Sequence, residues 1–257
     1  MTKILNTSLH AAYEAGNIIK SFFQSEFEVR MKGIGNPVTE ADIAADNILK
    51  KILTTEFPDY GWLSEETRDT IERLSKNRVW VVDPIDGTKE FVEGIPNFVI
   101  SIGLVENGEP ILGVIHNPIN KDMFTATKGD GIHFNGEPVK LSGLNDFSQM
   151  SMLNSRSETK KGLWEPYKSR FKELLPIGSI ALKLAMVAAG QADIVASLRP
   201  KNEWDLCAGH CLINEAGGQL LTTNGEKITY NNPQTLIQPG LVAGNSLTVE
   251  RFLSCEL

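Results

Sequence analysis

Apolar residues at helical spacing open the chain. Ile4, Leu5, Leu9, Ala12, Ala15, Ile18, Ile19 and Phe22 form one stripe and predict an amphipathic helix over residues 3 to 25. Gly33, Gly35 and Pro37 break the pattern, so residues 31 to 37 read as a loop. Thr39 with Asp42 three positions on has the form of a capping box. The helix it starts runs through Ile43, Ala44, Ile48, Leu49 and Leu53 and stops before Pro58. Residues 60 to 64 are a short apolar run, strand-like, that closes on Glu65-Glu66. Residues 67 to 78 are charged and read as a helical or loop excursion. The next run, Trp80-Val81-Val82, is apolar and β-branched, as a buried strand requires, and ends in Asp83-Pro84-Ile85-Asp86-Gly87-Thr88.

Period-two and turn signals dominate the middle of the chain. Strands are predicted over 98 to 105, 110 to 116, 123 to 126, 132 to 134 and 139 to 141. Asn107-Gly108, Gly129-Asp130-Gly131 and Asn135-Gly136 mark the turns between them. Residues 79 to 141 therefore form a mostly antiparallel meander. From about residue 150 the pattern alternates: strand 150 to 154, helix 160 to 174 with Pro166 near its start, and a small-residue helix 180 to 189. Strand 193 to 198, loop 199 to 202 and helix 205 to 216, stopped by Gly217-Gly218, come next. Late strands cover 219 to 222 and 241 to 243. The change of style near 142 to 150 divides the chain into an α+β half, 1–145, and an α/β half, 146–257, closely packed with the site in the crevice between them. There is no internal repeat, low-complexity tract or linker.

Composition narrows the function. The chain has 257 residues, 41% hydrophobic and 22% charged, as a globular protein with a full core has. Its net charge of −7 argues against a nucleic-acid polymer as partner. The same charge fits plain solubility, or an anionic small substrate met through bound Mg²⁺. No apolar run approaches the ~18 to 20 residues of a membrane span. The first residues do not read as a secretory signal. Cys207, Cys211 and Cys255 give no disulfide framework. The expectation is a cytoplasmic protein.

Two carboxylates three residues apart, Asp83 and Asp86, repel unless a cation lies between them. Gly87 allows close backbone approach, and Thr88 adds a hydroxyl, so the stretch reads as a divalent metal site with a phosphate seat beside it. Glu65 closes a second strand-like run and can converge on the same cation. Asp205 at the start of its helix either complements the helix dipole or closes the cage from the other half. Asp42 is either a helix cap or part of the chemistry. His10, His116, His133 and His210 are scattered without a metal-ligand neighbour. Cys207 and Cys211, four apart on one helix, are expected to be buried thiols rather than a soft-metal pair.

Taken together, Asp83-Pro84-Ile85-Asp86-Gly87-Thr88 and Glu203-Trp204-Asp205-Leu206-Cys207-Ala208-Gly209 resemble the paired signature of the inositol monophosphatase superfamily. Pro37 to Asp42, Leu63-Ser64-Glu65-Glu66, Gly178 to Lys183 and Val187 to Asp193 extend the resemblance over roughly residues 10 to 245. It implies a layered α/β/α/β/α fold of the sugar-phosphatase type and a Mg²⁺-dependent, Li⁺-inhibited phosphomonoesterase, monomeric or homodimeric. By the same resemblance, Glu65, Asp83 and the carbonyl of Ile85 hold a first metal. Asp83, Asp86 and Asp205 hold a second, and a third, weaker one assists near Glu65. Asp42 and Thr88 orient and deprotonate the attacking water. The backbone of Gly87 and Thr88 seats the phosphate, and Glu66 stands beside the ligands. Glu65, Ile85, Asp86, Gly87, Thr88, Lys183 and Asp205 meet the substrate.

Lys89-Glu90-Phe91 is similar to the 3′(2′),5′-bisphosphate nucleotidases of that superfamily, where inositol monophosphatases more usually carry an asparagine before the phenylalanine. Leu63 to Glu66 and Lys183 lean the same way. The implied reaction is hydrolysis of 3′-phosphoadenosine 5′-phosphate to AMP and phosphate. An inositol 1-phosphate or fructose 1,6-bisphosphate type of activity is the alternative. The spacing from Gly178 to Lys183 matches inositol monophosphatases better. Lys183 is then either a partner for a second phosphate or a solvated helix lysine. Arg199 and Lys201 either touch substrate or decorate a loop.

Overall fold

The structure, a computed structural model, describes residues 1–25, 29–33 and 36–254. Helices α1 (Thr2–Phe22) and α2 (Glu40–Glu56) pack on each other. Between them β1 (Val29–Gly33) and β2 (Asn36–Thr39) pair antiparallel, Met31 opposite Pro37, where the sequence predicts a loop. Proline is tolerated there because each strand of a lone pair has an open edge. Gly35, counted in that loop, and Cys255 lie outside the described residues.

Next come β3 (Gly61–Ser64), β4 (Arg78–Asp86), β5 (Val99–Glu106), β6 (Glu109–Asn117), β7 (Asp122–Thr127), β8 (Ile132–Phe134) and β9 (Glu137–Val139). They lie in that order in a seven-stranded sheet. Only the first pair is parallel; the rest is the antiparallel meander read from the turns. A 3-10 turn, Ile71–Ser75, occupies the charged excursion, and the single-turn helix α3 (Thr88–Val92) follows β4.

The remaining chain gives β10 (Ser151–Ser155), α4 (Arg156–Lys160), β11 (Glu173–Ile177), α5 (Ile180–Ala188), β12 (Ile194–Ser197) and β13 (Lys201–Asn202). It ends with α6 (Glu203–Glu215), β14 (Gly218–Thr222), β15 (Leu236–Ile237), β16 (Leu241–Asn245) and α7 (Ser246–Ser254). A five-stranded sheet runs β11-β10-β12-β16-β14. The helix predicted over 160 to 174 does not form. Gly162 at φ 71° turns the chain after α4, a 3-10 turn carries Pro166, and β11 pairs parallel to β10. The predicted loop 199 to 202 includes β13, which pairs with β15. Helix α6 begins at Glu203, two residues before its predicted start, and α7 was not foreseen from the pattern.

Side-chain alternation along β4 sets the layering. Trp80 and Val82 join the apolar cluster of α1 and α2, whereas Val79 and Val81 join that of α5 and α6. The second cluster continues through Val195 and Ala243 of the five-stranded sheet. The far face of that sheet, Met152, Ile194 and Val242, packs with Trp164, Val249 and Phe252. The order is helix, sheet, helix, sheet, helix: the α+β, α/β/α/β/α layering the resemblance implies. Among the described residues no helix is long and apolar enough to cross a membrane.

Helix α6 seats on bare backbone. A Cβ at Gly113 would lie 2.3 Å from Ala208 O, and one at Gly103 2.4 Å from Cys207 Sγ. At Gly113 the atoms met are backbone, which no side-chain rotation can move aside, so the helix must shift. Gly113→Ala is therefore expected to lower unfolding free energy by about 1–3 kcal/mol, as overpacking does, read as the shift in urea midpoint. An unchanged midpoint would mean that the helix is not held against the sheet there.

Candidate active site

Strand β4 carries the centre. Asp83 continues the Val79–Val81 face toward α5 and α6. In a regular strand Asp86 would point the opposite way, because an odd spacing reverses the face. The pairing with β5 shifts between Asp83 and Asp86, with Pro84 inside the irregularity. This bulge lets Asp86 reach the start of α5, where its Oδ2 accepts from Ser179 Oγ and from the Ala181 backbone N–H, both at 2.6 Å. Ser179 caps α5 from φ 54°, a strained value for a residue with a side chain.

Three carboxylates meet beside it. Glu65 follows β3, Asp83 lies in β4, and Asp205 is the third residue of α6; one ligand atom from each lies within 4.8 Å of the others. Asp205 Oδ2 accepts from Asn202 N at 2.8 Å, half of a capping box, so it serves the helix start and the cluster together. Glu203, at the same helix start, is buried and accepts from Asn231 N and Asn232 N at 2.7 and 2.9 Å. Asp86 stands at the edge of this cluster, its Oδ2 committed to α5.

Electrostatics show what the cluster lacks. Burial, then the charges of Glu65, Asp86 and Asp205, raise the Asp83 carboxyl well above its ordinary range. Burial, then Asp86 and Glu65, push Asp205 up to about 8. Asp83 Oδ1 accepts from Ile85 N at 3.0 Å, but its buried Oδ2 finds no hydrogen-bond partner among the described residues. An orphaned, buried oxygen on a carboxylate that clusters with two others fits a hard divalent cation, which takes oxygen ligands and favours the ionised forms.

Asp42 does both things its sequence position allows. Its Oδ2 accepts from Thr39 N at 2.7 Å and Thr39 Oγ1 at 2.5 Å, completing the predicted capping box. Its Oδ1 lies 3.1 Å from Thr88 Oγ1, which is also 3.1 Å from Ile85 O. Burial raises the Asp42 carboxyl, and the hydrogen bonds from Thr39 and Thr88 oppose that rise. Gly87, at φ 105°, makes the turn from β4 into α3. Its missing Cβ would touch Asn97 O at 3.0 Å, so a side chain there is blocked sterically as well as conformationally.

A cavity of about 400 Å³ opens beside the cluster, and Glu65, Asp83, Ile85, Asp86, Gly87, Thr88, Lys183 and Asp205 all border it. Every metal or substrate residue read from the sequence therefore faces one space; Asp42 reaches it through Thr88. Lys183 is not the solvated helix lysine of one sequence reading. It is 3% exposed, donates to Ile177 O at 2.9 Å, and burial lowers its ammonium to about 8. Lys201 also borders the cavity; Arg199 does not. Cys207 and Cys211 are buried free thiols, and His210 Nδ1 pairs with the Tyr230 hydroxyl at 2.9 Å.

Sequence reasoning missed two residues here. Arg156 borders the cavity and donates to Glu90 Oε1 at 2.6 Å and Glu93 Oε2 at 2.8 Å. Its only signal was a basic residue closing a strand. Asp46 accepts from Thr67 Oγ1 at 2.5 Å and from Ser64 Oγ, either side of Glu65. Its signal was the four-residue spacing from Asp42, one turn along the same helix face.

Comparison with known proteins places the chain in a family. The profile of the inositol monophosphatase family matches residues 1–254. The 3′(2′),5′-bisphosphate nucleotidase CysQ of Salmonella typhimurium is 35% identical over 234 residues, covering 89% of this chain and 94% of that protein. Inositol monophosphatase 3 of Solanum lycopersicum is 32% identical over 236 residues, covering 88% of each chain. Among solved structures, an IMPase of Thermotoga maritima superposes with a TM-score of 0.87 at 30% identity, covering 98% of this chain and 96% of that one.

The raised carboxyls set a pH dependence. A carboxyl at about 8 in the folded protein, against 3.8 when unperturbed, binds its proton more tightly when folded. Its stabilising contribution is full below about pH 4 and is lost as pH rises through 8. Burial lowers His210 to about 4, which acts in the opposite direction up to about pH 6.5. Between about pH 6.5 and 8 the metal-free protein should therefore lose melting temperature, and millimolar Mg²⁺ should flatten the loss by pairing the ionised carboxylates. A melting temperature that rises with pH over that interval in the absence of divalent cations would contradict the cluster.

Proposed function

The chain belongs to the inositol monophosphatase family, as a phosphatase of that superfamily, and from that premise we propose that it is a Mg²⁺-dependent phosphomonoesterase whose substrate carries a second anionic group. The substrate is a 3′(2′),5′-bisphosphorylated nucleotide, with 3′-phosphoadenosine 5′-phosphate yielding AMP and phosphate. One observation carries this reading: in a chain of net charge −7, four cations, Lys89, Arg156, Lys183 and Lys201, border the cavity beside the carboxylates. A single phosphate facing bound divalent ions does not need them. A second phosphate does, and a buried lysine together with an arginine held by two glutamates is suited to meet it.

In this reading Glu65, Asp83, Asp86, Asp205 and the carbonyl of Ile85 hold two to three Mg²⁺. Bound Mg²⁺ would neutralise phosphoryl and leaving-group oxygens and acidify a water. The protein's own part is proton handling and orientation. Thr39 fixes Oδ2 of Asp42, which leaves Oδ1 directed at Thr88. The Thr88 hydroxyl gives its proton to Asp42 and accepts from the attacking water, so the water's lone pair points at phosphorus. A carboxyl raised by burial is a better proton acceptor than an exposed one. Backbone N–H groups of Gly87 and Thr88 at the cavity wall seat the phosphate.

Phosphate release with Mg²⁺ from 3′-phosphoadenosine 5′-phosphate and from inositol 1-phosphate, run side by side, tests the assignment. The nucleotide should be the better substrate. Strong release from inositol 1-phosphate with none from the nucleotide would make the chain an inositol or sugar phosphatase instead. Arg156→Ala should raise KM for the nucleotide about 10- to 100-fold, the worth of a charge-assisted hydrogen bond of about 1.5–3 kcal/mol. An unmoved KM would take Arg156 out of the substrate site.

A further inference from the structure

We propose that Asp46 is a positioning residue that holds the Glu65–Glu66 turn in the geometry that binds the divalent ion. The inference rests on reading Glu65 as a metal ligand. Strand β3 is only four residues long and lies at the edge of the seven-stranded sheet. The bond from Glu65 N to Val82 O, 3.3 Å, is already long, and among the described residues no neighbouring strand flanks β3 on its outer side. The sheet by itself therefore does not fix where the Glu65 carboxylate points.

Helix α2 adds a constraint of its own. The Asp46 side chain is buried, and its two oxygens accept from two hydroxyls that bracket the glutamate pair: Ser64 on Oδ1 and Thr67 on Oδ2. Ser64 Oγ in turn lies 3.4 Å from Glu66 N. One carboxylate thus pins the chain immediately before and immediately after Glu65-Glu66. Asp42 lies one turn earlier on the same helix, about 6 Å along its axis, and accepts from Thr88. The helix therefore presents two acids in a row, one to the water-orienting threonine and one to the turn that carries Glu65. Asp46 fixes the spacing between the metal ligand and the proton acceptor, although it borders neither the cavity nor the three-carboxylate cluster.

The alternative is a staple between α2 and β3 with no bearing on metal, and Mn²⁺ binding separates the two. The constant is read by electron paramagnetic resonance of the free ion in the full chain, and metal-free melting temperature is recorded separately. Asp46→Ala should weaken Mn²⁺ binding about 10- to 100-fold, as loss of a residue orienting a ligand does. Asp46→Asn keeps one acceptor oxygen and should fall between parent and alanine. Thr67→Val nearly preserves volume at a partly exposed position, so it remains informative if the alanine variant folds poorly; it should weaken binding severalfold. Adding Thr67→Val to Asp46→Ala should cost nothing further, because the acceptor is already gone. Mn²⁺ constants within twofold of the parent in both Asp46→Ala and Thr67→Val, whatever their melting temperatures, would overturn the proposal. A parent protein without saturable Mn²⁺ binding would instead overturn the reading of Glu65 itself.

Discussion

Like charges held close together out of water are the constraint on which this molecule turns. Glu65, Asp83 and Asp205 come from a strand end, a strand interior and a helix start, and their oxygens meet within 4.8 Å. Such a cluster raises its own proton affinity and opposes folding unless a cation balances it. Two of its members and the neighbouring Asp86 are held by their own surroundings. Asp83 takes the Ile85 amide, Asp205 takes the Asn202 amide, and Asp86 takes the cap of α5. Helix α6 is seated against Gly103 and Gly113 of the sheet and tied at its start through Glu203 to Asn231 and Asn232.

The layers make that possible. The central helix layer, α5 and α6, lies between the two larger sheets and brings Lys183 and Asp205 to the C-terminal end of β4. The seven-stranded sheet is covered on its other face by α1 and α2, so Asp42 approaches the same strand end from the opposite side. Asp42 and the carboxylate cluster therefore stand on the two faces of one strand, and Thr88, at the turn beyond it, is the link. Cations border the same cavity: Lys89, Arg156, Lys183 and Lys201 line it together with the acids.

Much of this was legible in the residues because it depends on near neighbours. Thr39 and Asp42 are three apart, Asp83 to Thr88 are contiguous, and the Asn-Gly turns specify the meander locally. The site residues missed depend on distant partners. Thr67 meets Asp46 across 21 positions and Arg156 meets Glu90 across 66. No spacing rule reaches that far. The helix expected over 160 to 174 failed for another reason. Trp164 and Phe171 are apolar because they bury under the five-stranded sheet, not because they share a helix face. Gly162 and Pro166 then decide the backbone. Lys183 was ambiguous because its burial depends on the strand before its helix and on the cavity, not on its own helix pattern.

If the three converging carboxylates hold a divalent cation, anomalous diffraction from crystals of the full chain grown with Mn²⁺ will locate it. A peak is expected within coordination distance of Glu65, Asp83 and Asp205, with Asp83 Oδ2 among the ligands. Fully occupied Mn²⁺ bound elsewhere, with Asp83 Oδ2 still unliganded, would contradict it.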